Sequence, residues 1–455
     1  MPMKKNFRKR IFFLIISLLF IYPNPTTFLA KSDNENNYLN KLYKSTFSCI
    51  YFFTNSETGL PYDVSDYRTA TSLSNIGLYV GSVAVAAKTG LIPENEAIKV
   101  IEKVFISLGK IQKWHGFPIT WINVKTLKRS YGASFSYADH IGNLVCGLLV
   151  VAGIFPNQFT EIVENIIGSM QFSKTYDATT GWLKGGFNIV KKEFSVKQSW
   201  GDWYYNLLAS DTRHFSLLAI TLGEIPKDHW HKLQRDDTPM GPLDYEILLD
   251  VFGKKHDSTP YFSPGMHGGG LFMQFLPGIF LKEKELPIGI SARNFAWCQI
   301  TYAKINGIFP LWGYSACESP NGNGYLGWSS LKKIVVTPHA SVLAIDYFPK
   351  EVLKNLFALE KNGMRRRYID KRTSKGYDFG FKDSYNFESE IVSKHYLCLD
   401  QCMIFLSLAN YLYNDIVRIS FNNSSLGKEM HNKLSSLEEK YTWFSVETWI
   451  NSPEN

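Results

Sequence analysis

Three carboxylates in this chain stand where side chains are more often exposed than packed. Glu318 lies in ACESPNGNGY, a Gly- and Asn-rich turn directly after an aromatic segment, which marks an exposed loop. Asp383 lies in GFKDSYN beside Lys382, whose attraction would keep the carboxylate ionised. Asp139 follows SFSYA and precedes an apolar helix, where an Asp can also serve as a cap. Two carboxyl groups on loops suit acid–base chemistry at an ether-like bond: one protonates the departing oxygen, and the other attacks or activates water. Glu318 is the candidate acid and Asp383 the candidate base or nucleophile. For Asp383 the alternative is capping of the segment that follows.

Other chemistries find less support. There is no P-loop, dinucleotide fingerprint or HExxH segment, and no metal or organic cofactor is expected. The cysteines stand at 49, 146, 298, 317, 398 and 402, too few for a disulfide framework in a chain of 455 residues. Cys398 and Cys402 are i, i+4 on a predicted helix with no His at ligand spacing, so buried thiols are the reading for them. Asp400, in YLCLDQCM on the same apolar helix, needs polar partners if buried, and structures the interior rather than touching a ligand.

The elements that must carry these residues are helical. Apolar positions recur at i, i+3, i+4 and i+7 near 36–53, 70–89, 94–110, 135–153, 157–170, 206–222, 241–253, 268–282, 290–304, 338–346, 349–362 and 396–413. With no strong alternating strand signal, this predicts an all-α fold, a toroid of helices, with short strand or loop excursions around 114–131 and 182–197. No linker divides residues 36–420. The polar tail 421–455 contains HNKLSSLEEKYTWF, which predicts one further helix packed outside.

The segment Tyr204 to Arg235, YYNLLASDTRHFSLLAITLGEIPKDHWHKLQR, interrupts a helical apolar pattern with Asp211, Thr212, Arg213 and His214. It resembles the glycoamylase-like family, (α/α)6-barrel proteins that include endo-β-1,2-glucanases and the transglycosylating part of cyclic β-1,2-glucan synthases. Further segments occur in that family's order: TNSETGLPYDV leading into TSLSNIGLYVGSVAVAAKTGLI, then SFSYADHIGNLVCGLL, GGGLFMQFLPGIF, PLWGYSACESPNGNGYLGW and DFGFKDSYNF ahead of YLCLDQCMIFLSLANYL. The resemblance implies an (α/α)6 barrel over 36–420 that cleaves a β-linked glucan. It implies an acid a few positions after Trp312-Gly313, although Ala316 stands at the strict offset and Glu318 lies two residues on. It places Asp383 where hydrolytic relatives carry Asp, and gives Asp139 a substrate-binding or water-positioning role. Arg213, His214, Trp200, Trp203, Trp312 and Arg293 are candidate sugar contacts, since rings stack on pyranose faces and guanidinium groups bridge hydroxyls. For each Trp a place in the core is the competing reading.

Two departures bear on activity. Met273 and Gln274 replace a family acid in LFMQFLP, and Asp211 replaces a Glu, keeping charge but shortening reach. Synthase chemistry loses ground to hydrolysis. A catalytically silent glycan-binding protein, or a polysaccharide lyase, are the alternatives.

At the N-terminus, Lys4, Lys5, Arg8, Lys9 and Arg10 precede an apolar run from Ile11 to Ile21. This is shorter than the roughly 20 residues of a membrane span and fits a secretory signal over 1–30. Export to the periplasm or beyond is expected, with membrane attachment only if the segment stays uncleaved. The formal charge of +8 includes five cations from 1–30 and no acid, leaving +3, so no nucleic-acid partner is indicated. The expected partner is an oligo- or polysaccharide, bound by a monomer.

Overall fold

The computed structural model describes residues 33–130, 135–194, 197–198, 201–235, 270–322, 324–326, 334–442 and 445. The signal segment, the helix expected at 241–253 and Trp200 lie outside the described residues. The fold is mainly helical, and its helices form two kinds that the sequence distinguishes. Leu73–Lys88, Ala138–Ile154 and Cys398–Leu412 are apolar almost all round and are buried along nearly their whole length. Helices of that composition belong inside a fold. Glu94–Lys110, Pro156–Gly168 and Pro349–Lys361 bury one stripe each, for example Ala97, Ile101, Val104 and Leu108, and turn the opposite face to solvent.

The inner helices pack on one another: Leu73–Lys88 lies against both Ala138–Ile154 and Cys398–Leu412, and Ala138–Ile154 lies against Arg213–Thr221. The first of these contacts is made by glycine. A Cβ on Gly147 would stand 1.8 Å from the carbonyl oxygen of Gly77, and one on Gly77 would stand 2.4 Å from the Cα of Leu144. Only hydrogen in place of a methyl group lets the two backbones approach this closely.

Most predicted helices sit within a few residues of their expected bounds. The helix predicted from 206 begins later, at Arg213, because Tyr204–Tyr205 is drawn into a strand beside Trp182–Lys184 and Leu208 donates to the Gln234 carbonyl. The 268–282 helix is reduced to Leu271–Phe275 and a 3₁₀ turn, Leu276–Ile279, with Pro277 at its start. Strands are short and antiparallel, in sheets of two or three. Ala70–Ser72 pairs with Trp121–Asn123, and Cys317–Glu318 with Tyr325–Leu326.

The tail is more structured than one outer helix. Ile416–Asn423 runs across residue 420, and Ser425–Glu438 follows, capped by Ser424. Met430, Leu434 and Leu437 are buried, and Glu438 accepts a 2.8 Å hydrogen bond from the Trp230 indole. The six cysteines are buried free thiols. No helix among the described residues is long and apolar enough to cross a membrane.

Candidate active site

The N-terminal ends of five helices meet around one cleft of about 640 Å³. Its wall includes Ser74 and Asn75 from Leu73–Lys88, Asp139, His140 and Asn143 from Ala138–Ile154, and Asp211 just ahead of Arg213–Thr221. Phe272 and Met273 come from Leu271–Phe275, and Leu399 from Cys398–Leu412. Helix N-termini favour negative charge, and four carboxyl groups line this cleft: Asp63, Asp139, Asp211 and Glu318.

The Gly77–Gly147 crossing positions the first group. It brings Ser74 beside the next helix, where the Ser74 hydroxyl meets His140 Nδ1 at 2.9 Å and accepts from the Asn143 amide at 3.1 Å. The same amide donates to Asp211 Oδ2 at 3.1 Å. Asp139 sits in the first turn of its helix, two residues past the cap position at Tyr137, and accepts from the His140 N–H at 2.7 Å. Burial pushes Asp139 up to about 6, against the hydrogen bonds from His140 and Tyr205. Asp211 is likewise pushed up to about 6, by burial first and by the charge of Asp139 second. The two titrate as an interacting pair that holds a proton well above the ordinary carboxylate range. His140 is pushed down to about 4 by burial and stays neutral.

Glu318 is treated in the opposite way. Its Oε1 lies 3.0 Å from Arg68 Nη2 and its Oε2 lies 2.7 Å from His395 Nδ1. Burial raises its pKa, but the His395 and Arg68 contacts outweigh burial and hold it below the usual range. The segment is fixed from behind: the Glu318 N–H donates to Asp383 Oδ2 at 2.6 Å, and the Ser384 hydroxyl donates to the Glu318 carbonyl. Tyr325 stands directly across the hairpin from Glu318, is 72 % exposed, and lines the cleft together with Trp121 and Phe272.

Of the predicted site residues, the cleft gathers Glu318 and Asp139. Asp383 lies behind Glu318, 1 % exposed and off the cleft wall, so its carboxylate meets the Glu318 backbone rather than a ligand. Neither does it cap a helix, since a strand follows at Tyr385–Asn386. Arg213 is fully buried and holds Glu283 with both Nε and Nη2, at 2.8 and 2.7 Å. His214 packs against Phe280 and faces Asn143. Trp312 is 0 % exposed and donates to the Glu351 carbonyl. These three are interior groups, because their partners come from neighbouring helices and loops that close over them. Trp203 packs on Tyr137 and Tyr205, and Arg293 lies over Phe348, both away from the cleft wall. Asp400 is buried beside Asp383 and His339.

Sequence reading passed over Arg68, His395, Asp63, Trp121 and Tyr325, and met Asp211 as a polar interruption of an apolar pattern and a departure from a family Glu, without placing it in the site. Arg68 and His395 reach Glu318 across 250 and 77 residues of chain, so no local spacing announces them. Tyr325 did carry a signal, as an aromatic at the far side of a glycine-rich turn from an acid.

The comparisons agree with this architecture. Residues 267–425 match the Glycoamylase family, described as "Putative glucoamylase". Over 283 residues, 58% of this chain, the sequence is 26% identical to the cyclic β-(1,2)-glucan synthase NdvB of Rhizobium meliloti (strain 1021), and the match covers 9% of that much longer protein. Among solved structures, a "putative glucoamylase" from Bacteroides uniformis ATCC 8492 superposes with a TM-score of 0.72 at 17% identity, covering 89% of this chain and 98% of that one. An endo-β-1,2-glucanase from Chitinophaga pinensis, in complex with sophorotriose and glucose, superposes with a TM-score of 0.70 at 16% identity, covering 89% and 99%. The described residues have the mainly helical fold of these proteins, and residues 267–425 are similar in sequence to the Glycoamylase family.

Proposed function

We propose that this protein is a glycoside hydrolase that cleaves a β-linked glucan, with β-1,2-linked glucan as the first candidate. The observation that carries the reading is one cleft with carboxyl groups of opposite character. The Asp139–Asp211 pair keeps a proton to about pH 6, as a general acid must. Glu318 is held ionised by His395 and Arg68, as a base or nucleophile must be. Division of labour between two carboxyls is what glycosidic cleavage requires. On this reading the pair protonates the departing glycosidic oxygen and Glu318 attacks, or draws a proton from water, on the other face. The roles thus differ from the sequence expectation, in which Glu318 is the acid and Asp383 the base. Tyr325 and Trp121 offer rings to pyranose faces at the same cleft.

Two proteins that share the fold support the substrate class, because their structures hold sophorotriose or sophorose. The closed (α/α)6 ring and export through residues 1–30 belong to the same proposal. The test is release of reducing ends from β-1,2-, β-1,3- and β-1,4-glucans by the purified protein, with release from the β-1,2 polymer expected.

Met273, which lines the cleft where family resemblance implies an acid, favours a second reading as a glycan-binding protein without catalysis. That reading predicts thermal stabilisation by glucan oligosaccharides with no release of reducing ends.

A further inference from the structure

Behind Glu318, the side chains of His339, Asp383 and Asp400 converge, all buried, with one oxygen or nitrogen from each within 4.8 Å of the others. His339 Nδ1 and Asp400 Oδ2 are 3.1 Å apart without the alignment of a hydrogen bond. Among the described residues, His339 Nδ1, Asp383 Oδ1 and Asp400 Oδ2 have no hydrogen-bond partner, although the three side chains converge. Among the described residues neither Asp is ion-paired with Lys or Arg. Two ionised carboxylates in contact, away from solvent and beside an uncharged ring, would be strongly unfavourable. Something positive must lie between them, either a proton or a metal cation.

We propose that Asp383 and Asp400 share a proton in the folded protein, and that this pair is a positioning device for Glu318. The remaining Asp383 oxygen, Oδ2, is the one that accepts the Glu318 N–H at 2.6 Å. A proton between Asp383 and Asp400 would therefore fix the carboxyl that fixes the Glu318 strand. The groups facing the pair fit a proton rather than charge. His339 is pushed down to about 4 by burial and is neutral, and its Nε2 lies 3.5 Å from the Thr337 hydroxyl. Cys317 faces the pair from the Glu318 strand, its thiol raised by burial and by both carboxyls. Asp63 approaches Asp400 from the cleft side and adds negative charge. Burial pushes Asp400 up to about 6; Asp383 is raised further, by burial and then by Asp400.

The role assigned to Glu318 rests on the glucan-hydrolase reading, but the shared proton does not, so its test needs no substrate. An unfolded Asp loses its proton near pH 3.9, whereas the folded pair retains one. The pair's contribution to stability is therefore fully present below about pH 4 and is lost as pH rises through the range where the folded pair titrates. Asp383→Asn supplies an amide N–H in place of the proton and removes that dependence. Chemical denaturation of both proteins from pH 4 to pH 7 should show the unfolding constant of wild type rising relative to the variant by about tenfold per pH unit between pH 4 and 6. Asp400→Asn, read in the same way, covers failure of the first variant to fold. Asp383→Ala should lower kcat on the glucan, with part of the loss recovered by Asp383→Asn. A wild-type to variant ratio flat with pH overturns the proposal. So does about one divalent metal per chain by elemental analysis, with loss of stability on adding EDTA.

Discussion

Arg68→Gln gives the sharpest view of how the cleft divides its carboxyls. The substitution removes a guanidinium 3.0 Å from Glu318 Oε1 and leaves His395 at 2.7 Å from Oε2. At an effective dielectric constant near 20, two unit charges at that distance attract by roughly 5 kcal/mol. The Arg68 side chain is 43% exposed while that of Glu318 is 5% exposed, so water screens much of that attraction. A hydrogen bond to a charged group contributes about 1.5–3 kcal/mol, and screening places this one at the low end. About 1.4 kcal/mol is one pH unit. The acid limb of kcat/KM, set by ionisation of Glu318, should therefore move up by about one unit. The alkaline limb, set by the Asp139–Asp211 pair near 6, should stay in place. The assay is initial-rate release of reducing ends from pH 3 to 8. An acid limb that does not move, or an alkaline limb that moves instead, refutes the assignment of Glu318 as the ionised partner.

Two further outcomes follow from the packing. Tyr325→Ala should raise KM about tenfold with little change in kcat, and Tyr325→Phe should restore it, because the ring face rather than the hydroxyl meets the sugar; an equal loss in both variants would count against stacking. Gly147→Ala forces a methyl group onto the Gly77 carbonyl and should destabilise the fold by about 1–3 kcal/mol in chemical denaturation. Gly109→Ala, in a helix where no described residue lies within 4 Å of the new carbon, should be neutral or stabilising by up to about 1 kcal/mol, and a similar loss at both positions would show that the glycine crossing has no special part.

The helical class was readable because inner and outer helices write different patterns, continuous apolar runs such as LSNIGLYVGSVAVAA against stripes such as that of Glu94–Lys110. Glu318 and Asp139 were findable because a glycine-rich turn and a helix start are local features, and both residues line the cleft. Burial was the quantity that could not be read. Arg213 and Trp312 have side chains suited to sugars, yet each meets a partner distant in the chain, Glu283 at a separation of 70 residues or the Glu351 carbonyl at 39. Asp383 sat in a polar turn that predicts exposure, yet it is buried, with its Oδ2 accepting from the Glu318 N–H. Asp211 belongs to the cleft because the chain before Arg213 leaves the helical path, a change that strand pairing at Tyr204–Tyr205 imposes and periodicity does not register.

The most direct measurement is kcat/KM of Asp211→Asn and Glu318→Gln on the glucan that the wild-type protein cuts. Both changes keep side-chain size and remove one titrating group from the cleft. Each should cost at least about 100-fold, the usual scale of a lost acid or base, and Asp211→Asn should also reshape the limb near pH 6. Either variant cleaving within tenfold of wild type, with both limbs intact, would contradict the account.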